Sequence, residues 1–190
     1  MSFQIDYFTS SGRKVLRLAQ NIAIRAQHKE ITPDHLLLAM TRATDTNAYH
    51  ALHDVDVIES KLARYWSVVH PSRRDHPLFF DGVQYADSTQ QVFQLSWVET
   101  KLRGYDYIGS AHLLIGLMRF ESATIDDLLA HFSLERKQVI KATAYYFEYS
   151  IEQEKHRIPI STGDEANASG CLALLNDLLL AWNRKRKRDE

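Results

Sequence analysis

Residues 31–40 of this chain read ITPDHLLLAM, and residues 108–117 read IGSAHLLIGL. The two stretches lie 77 positions apart, and the same offset aligns residues 8–62 with residues 85–139 without a gap. Identical and chemically similar residues fall on each other along the whole alignment. An ungapped register of this length indicates an internal duplication, which is the sequence signature of a repeat architecture.

The first two helices of the first unit are marked by caps and by apolar spacing. An apolar stripe with steps of three and four residues begins at Val15, which indicates a first helix with Ser10 or Ser11 available as its N-cap. The second helix opens at Thr32 and Pro33. A hydroxyl cap followed by proline is typical of a helix start, because the missing N–H of proline costs nothing at the first helical position.

The remaining helices follow from the same spacing in both units. A short third helix covers about residues 47–53, and its counterpart covers residues 124–131. The fourth helix starts at Asp56 in the first unit and at about Ser133 in the second. Gly104 supplies a natural stop for the first helix of the second unit. No stretch alternates convincingly with a period of two, so no sheet of three or more strands is expected.

The predicted fold class is all-α, with two pseudo-symmetric four-helix repeats plus a C-terminal helix. The repeats take about residues 8–69 and 85–150 and form one domain, residues 1–150, because four helices alone are too few for a generous core. Residues 151–168 contain a proline and a glycine and are interpreted as a connector. Residues 169–190 form the C-terminal helix with a basic end.

One apolar stripe runs along that C-terminal helix. It consists of Leu172, Leu175, Leu179 and Trp182. Exposing such side chains forfeits about 1.5–3 kcal/mol each, so the stripe needs cover. The cover is the repeat domain, a docking partner or a second copy of the chain in a homo-oligomer.

Composition narrows the function classes. Apolar residues make up 45% of the chain, charged residues 25%, and the formal net charge is −1, which argues against a nucleic-acid or membrane partner for the whole chain. The basic run at residues 184–188 raises a nucleic-acid alternative, but no basic stripe with interleaved aromatic residues accompanies it. The single cysteine, Cys171, excludes an intramolecular disulfide and fits a reducing compartment. A cytoplasmic protein is expected.

The histidines invite a metal interpretation that the spacing does not favour. His35 and His112 each stand at a helix start, where imidazole can satisfy backbone or cap groups. His50, His53 and Asp54 can share a helix face, but a closed metal site needs three or four ligands and a surface cluster is the better interpretation. No metal, cofactor or catalytic residue is therefore predicted. A nucleophilic pair of Cys171 with a histidine stays open, without a catalytic motif around the cysteine.

The stretches at residues 8–20, 31–40 and 107–118 resemble the Clp N-terminal repeat, which occurs twice at the front of ClpA-, ClpB- and ClpC-type AAA+ unfoldases. The resemblance covers about residues 8–150, with both repeats in order. It implies a helical pseudo-dimer that docks substrates and adaptor proteins. Since the chain has no G-x-x-x-x-G-K-[ST] loop, we expect no ATP hydrolysis by this chain alone.

The resemblance implies a non-enzymatic protein-binding module, an adaptor or accessory factor in protein quality control. The expected partners are Clp unfoldase or protease subunits, adaptors or client proteins. The alternative is a structural or regulatory interaction protein that uses the fold outside proteolysis and docks through its C-terminal helix. A helical hydrolase or metal enzyme is a third hypothesis, supported by scattered histidines alone.

In ClpC-like members, an acidic residue before the motif histidine of each repeat helps to bind phosphoarginine. The resemblance therefore implies a phosphoarginine or peptide site at Thr32 and Asp34 in the first repeat. The second repeat has Ala111 at the equivalent position, which can neither pair nor hydrogen-bond, so that site is predicted to be non-functional. The competing interpretation of Asp34 is stabilisation of the helix dipole in a first turn.

Deletion of residues 169–190 tests the apolar stripe. We expect the truncated chain to melt at a lower temperature or to change its oligomeric state, because the deletion exposes the surface, on the repeat domain or on a second copy, that the stripe packs against. Calorimetry and light scattering measure the two effects. Deletion of residues 184–190 alone is the control, since it removes the basic end and leaves the stripe intact. An unchanged melting temperature and size after the longer deletion would make the segment a free docking element.

Overall fold

The computed structural model describes residues 5–69 and 83–154, with side-chain detail for residues 5–66 and 83–147. After a 3-10 turn at Ile5–Tyr7, the helices within these ranges are α1 (Ser10–Arg25), α2 (Pro33–Met40), α3 (Asn47–Asp54), α4 (Glu59–Val69), α5 (Asp87–Leu102), α6 (Ser110–Arg119), α7 (Ala123–His131) and α8 (Arg136–Glu154). Two strands of two residues each, β1 (Glu30–Ile31) and β2 (Gln84–Tyr85), accompany them. The predicted all-α class, with four helices in each unit, is confirmed.

The backbone repeats at the offset found in the sequence. Among the described residues, Gln27 and Gly104 have φ angles of 57° and 76°, and Asp56 and Ser133 have φ angles of 62° and 55°. The members of each pair lie 77 positions apart. A positive φ is uncommon outside glycine, so its recurrence at matching positions shows that the two units share their turns as well as their helices.

The two halves are joined by reciprocal parallel bridges. Phe8 pairs with Ile108, and Tyr85 pairs with Ile31 as part of the β1–β2 ladder. Each bridge joins the segment before the first helix of one unit to the segment before the second helix of the other. The amide of Thr9 donates to the carbonyl of Ile108 at 3.1 Å.

The same hydrogen bond recurs in the other half, where the amide of Ala86 donates to the carbonyl of Ile31 at 3.1 Å. The two short strands were not among the predicted elements. A strand of two residues is too short to produce a period-two pattern, so the sequence carries no signal for it.

Helix starts confirm one prediction and correct three. Thr32 is the N-cap of α2 and Pro33 its first residue, as predicted. The N-cap of α1 is Thr9, whose hydroxyl accepts from the amide of Gly12, rather than Ser10 or Ser11.

The fourth helices also begin later than predicted. α4 starts at Glu59 rather than Asp56, and α8 starts at Arg136 rather than Ser133. Asp56 and Ser133 have left-handed backbones, which a right-handed helix cannot include.

The core surrounds α2 and α6. Every residue of α6 from Ser110 to Met118 is buried, and so are Pro33 and residues 35–40 of α2. A helix that is buried on all sides is apolar all round, which explains the Leu-Leu runs without a polar face. α1 packs on α2, α5 packs on α6, and α2 contacts α6. Gly116 permits the close packing of α6 on α5, because a Cβ there would lie 2.8 Å from the carbonyl oxygen of Val92.

Several predicted features lie outside the described residues. These are most of the connector and the whole C-terminal helix with Leu172, Leu175, Leu179 and Trp182. α8 continues to Glu154, past the predicted repeat end at residue 150. In the part of the chain that the structure describes, no helix has the length and apolar character to cross a membrane.

Substitution of Gly12 with alanine tests the bridge between the halves. A Cβ at this position would lie 2.6 Å from the carbonyl oxygen of Ile108 and 3.3 Å from the Cβ of Phe8. Because a backbone oxygen cannot rotate away, we expect Gly12→Ala to cost about 1–3 kcal/mol of unfolding free energy, as overpacking does. Urea denaturation measures the loss. The control is Gln20→Ala at an exposed position of the same helix, and equal stability of the two variants would contradict the close approach.

Candidate functional site

Each of the two central helices, α2 and α6, has a buried histidine that caps its N-terminal end. At α2 the amide of Thr32 donates to Nδ1 of His35 at 3.0 Å, and the Thr32 hydroxyl lies 2.7 Å from the same nitrogen. At α6 the amide of Gly109 donates to Nδ1 of His112 at 3.0 Å. In each helix the third residue reaches back to the N-cap amide, as glutamate or glutamine does in a capping box. The capping role predicted for both histidines is confirmed.

The second ring nitrogen distinguishes the two histidines. Nδ1 of His35 accepts the backbone proton, so its Nε2 carries the ring proton and donates to Nδ1 of His28 at 2.8 Å. Nε2 of His112 has no hydrogen-bond partner among the described residues, although this side chain is buried. Burial lowers the pKa of His112 to about 4, and the charge of Arg103 adds to the effect. His112 is therefore a neutral imidazole at neutral pH.

Aromatic rings cover both histidines. The centroid of the His35 ring lies 4.9 Å from that of His28 and 5.0 Å from that of Trp66. The centroid of the His112 ring lies 5.1 Å from that of Tyr105 and 4.7 Å from that of Phe147.

His28 and Tyr105 occupy equivalent positions of the two units, and their roles were missed in the sequence. The 77-residue offset could have identified them, because it aligns His28, whose ring lies beside His35, with Tyr105, whose ring lies beside His112.

The predicted binding residues, Thr32 and Asp34, lie at the N-terminal end of α2. Asp34 is the second residue of the helix and is partly exposed, and the hydroxyl of Thr32 donates to its Oδ2 at 3.4 Å. Burial raises the pKa of Tyr65, and the charges of Asp127 and Asp34 raise it further. Asp34 thus lies within electrostatic range of Tyr65 of α4, and the Tyr65 ring lies 5.2 Å from the His131 ring of α7, centroid to centroid.

The equivalent position of the second unit is closed. Ala111 is 3% exposed and packs with Ile115, Phe147 and Tyr105. The guanidinium carbon of Arg103 lies 4.3 Å from the centroid of the Phe147 ring on the same side of the domain. A ligand would have to displace these side chains to reach the first turn of α6.

Of the cluster His50, His53 and Asp54, the first and the last contact the other unit, whereas the His53 ring lies beside Tyr49 of the same helix. The Tyr146 hydroxyl donates to Oδ2 of Asp54 at 2.6 Å, and the His50 ring stacks on Tyr146 with centroids 5.8 Å apart. Burial and the Asp54 carboxylate raise the pKa of Tyr146 to about 12. Within the described ranges, no group of three or more side chains is arranged to hold a metal ion. Cys171 lies outside those ranges.

The sequence analysis also did not single out a buried carboxylate, Glu99. Glu99 of α5 is 2% exposed and pairs with Arg103 at 2.7 Å and with Arg119 at 2.8 Å. These ion pairs join the end of α5 to the end of α6, so their role is structural. The sequence signal was an acidic residue inside an apolar stretch with an arginine four positions later.

The exchanged bridges and the two capped central helices define a duplicated all-α domain. Residues 7–132 match the model of the Clp repeat (R) N-terminal domain. The chain therefore belongs to the Clp N-terminal domain family.

Individual relatives agree with this assignment. The ATP-dependent Clp protease ATP-binding subunit ClpC of Staphylococcus aureus is 28% identical over 138 residues, which cover 70% of this chain and 16% of ClpC. The N-terminal domain of ClpD from Arabidopsis thaliana has a TM-score of 0.61 at 15% identity, over 77% of this chain and 98% of that domain. The ClpV N-domain in complex with a VipB peptide has a TM-score of 0.57 at 14% identity, over 76% of this chain and 91% of that one.

The capping histidine of α6 makes stability depend on pH. The folded state lowers the pKa of His112 from 6.5 to about 4, so the folded form resists protonation. Its contribution is complete above pH 6.5 and is lost as the pH falls toward 4, by roughly 3 kcal/mol in all. Urea denaturation at several pH values measures the slope.

His112→Gln should flatten that slope, because glutamine can accept from the same amide and does not titrate. His53→Gln, at an exposed position of α3, is the control and should keep the slope of the unmodified protein. A His112→Gln variant with an unaltered slope would assign the acid sensitivity to other groups.

Proposed function

We propose that this domain binds proteins and brings them to a Clp-type ATPase, as a non-enzymatic adaptor or accessory factor in cytoplasmic protein quality control. The observation that carries the proposal is the family match over residues 7–132, which spans the first unit, the first three helices of the second unit and the exchanged bridges. ClpC is named as an ATP-binding subunit of a Clp protease, and the ClpV N-domain is seen with a VipB peptide. The partners we propose are Clp subunits, adaptors or client proteins.

Within this role, the first turn of α2 is the binding site we propose. Asp34 offers a partly exposed carboxylate that can pair with a guanidinium, and the helix start favours an anion beside it. Phosphoarginine carries both groups on one side chain. Because Ala111 is buried against Phe147, the chain offers one such site rather than two.

Recovery of partners from the cell of origin tests the role. The full chain, immobilised and exposed to extract, should retain Clp ATPase or protease subunits that mass spectrometry identifies. Asp34→Ala should lower the yield of client proteins, whereas Asp87→Ala, which removes a first-turn acid from α5, should not. Recovery of unrelated proteins without Clp subunits would support the alternative, a structural or regulatory interaction protein that uses its C-terminal helix for docking.

Titration with free phosphoarginine tests the site directly. Calorimetry should show at most one weak site on the full chain, because only α2 has a carboxylate at this position of its first turn, whereas α6 has the buried Ala111. Asp34→Ala should abolish the heat of binding, since the guanidinium loses its partner. Asp87→Ala is the matched control. Two equivalent sites, or binding that survives Asp34→Ala, would contradict the proposed geometry.

A further inference from the structure

The outer faces of α1 and α5 differ although the two helices are equivalent by the repeat. α1 exposes Arg13, Arg17 and Arg25 to solvent. At the positions 77 residues later, α5 has two glutamines and a leucine, Gln90, Gln94 and Leu102. One outer face is therefore strongly basic, while the other has lost every one of these charges.

The outer face of α5 is neutral along most of its length. Residues 88–98 contain no charged side chain, and Trp97 and Val98 of this stretch are only partly buried. Leu102 is 56% exposed. The edge of the Tyr7 ring meets the Trp97 ring at a centroid distance of 5.6 Å, which widens the apolar area beyond the helix.

Charges return at the two ends of α5 with opposite signs. Asp87 stands in the first turn and Lys101 in the last, where its ammonium donates to Oδ1 of Asp106 at 2.9 Å and lies 4.6 Å from the centroid of the Trp97 ring. An antiparallel helix of the same sequence would place its own Lys101 near Asp87 and its own Asp87 near Lys101. The two helix dipoles would also oppose each other.

From this pattern we infer that the outer face of α5 is where a second copy of this chain packs, antiparallel and about a twofold axis. In such an interface a residue near the axis meets its own copy. Gln94 lies at the middle of α5 (Asp87–Leu102), so the axis brings two neutral amides together. The equivalent face of α1 would bring Arg17 against Arg17, and like charges in contact are strongly unfavourable.

The small area of one helix face predicts a weak dimer. A helix of 16 residues is about 24 Å long at a rise of about 1.5 Å per residue. One face of this length buries less than the roughly 800 Å² per partner of a standard interface. The full chain should therefore exchange between monomer and dimer in the micromolar concentration range.

Sedimentation velocity on the full chain tests this interface. Two variants introduce a negative or a positive charge at Gln94. The unmodified protein should shift from monomer to dimer as its concentration rises. Gln94→Glu and Gln94→Lys, each alone, should weaken the dimer at least about tenfold, because like charges then meet at the axis. An equimolar mixture of the two variants should restore dimer formation. Arg17→Glu, at the equivalent position of α1, should leave self-association unchanged.

Three outcomes would overturn the inference. A chain that stays monomeric at every concentration has no such interface. A dimer that survives both Gln94 variants forms through another surface, such as residues 169–190. If the mixture of the two variants does not form dimers, Gln94 does not lie near its own copy in the interface. Circular dichroism of the variants checks their fold, which a change at this exposed position should not disturb.

Discussion

The exchange of backbone pairing between the two halves is the constraint on which the rest of the fold depends. Phe8 of the first unit pairs with Ile108 of the second, and Tyr85 of the second pairs with Ile31 of the first. Each half thereby completes the entry to a central helix of the other, so neither half contains all of its own backbone partners. The arrangement also brings α2 and α6 together at the centre, which creates one core from two small units.

A buried helix start needs a partner for its first amides, and this need explains the histidines. A charged carboxylate at the same depth would carry a large desolvation cost, whereas a neutral imidazole accepts a backbone proton at far lower cost. His35 and His112 do this in both halves, beneath aromatic rings. Because the histidine supplies the cap, the second residue of each helix is not needed for capping and can differ between the halves. It is Asp34 in α2 and Ala111 in α6, so only one of the two central helices has an acid in its first turn.

Local patterns predicted the duplication, the helical class and the start of α2, because each rests on neighbouring residues. The N-cap of α1 was misplaced because hydroxyl residues adjoin there, and only the extended backbone of Thr9, with ψ of 170°, identifies the cap. The turns at Asp56 and Ser133 were missed because apolar spacing does not report a left-handed residue. The position of Asp34 at a helix start was predictable from Pro33. The cover over Ala111 was not, since it comes from Phe147 of α8 and from Tyr105 in the loop after α5, whose contacts no local pattern encodes.

The exchanged bridges also determine how the chain reaches its native state. Helical proteins generally fold fast because their contacts are local in sequence. Here residues 8 and 108, and residues 31 and 85, must meet before the central helices are fully enclosed. Closing such long loops costs chain entropy before packing rewards it. The rate of folding therefore depends on two pairings between residues far apart in sequence, in a molecule whose described secondary structure is almost entirely helix.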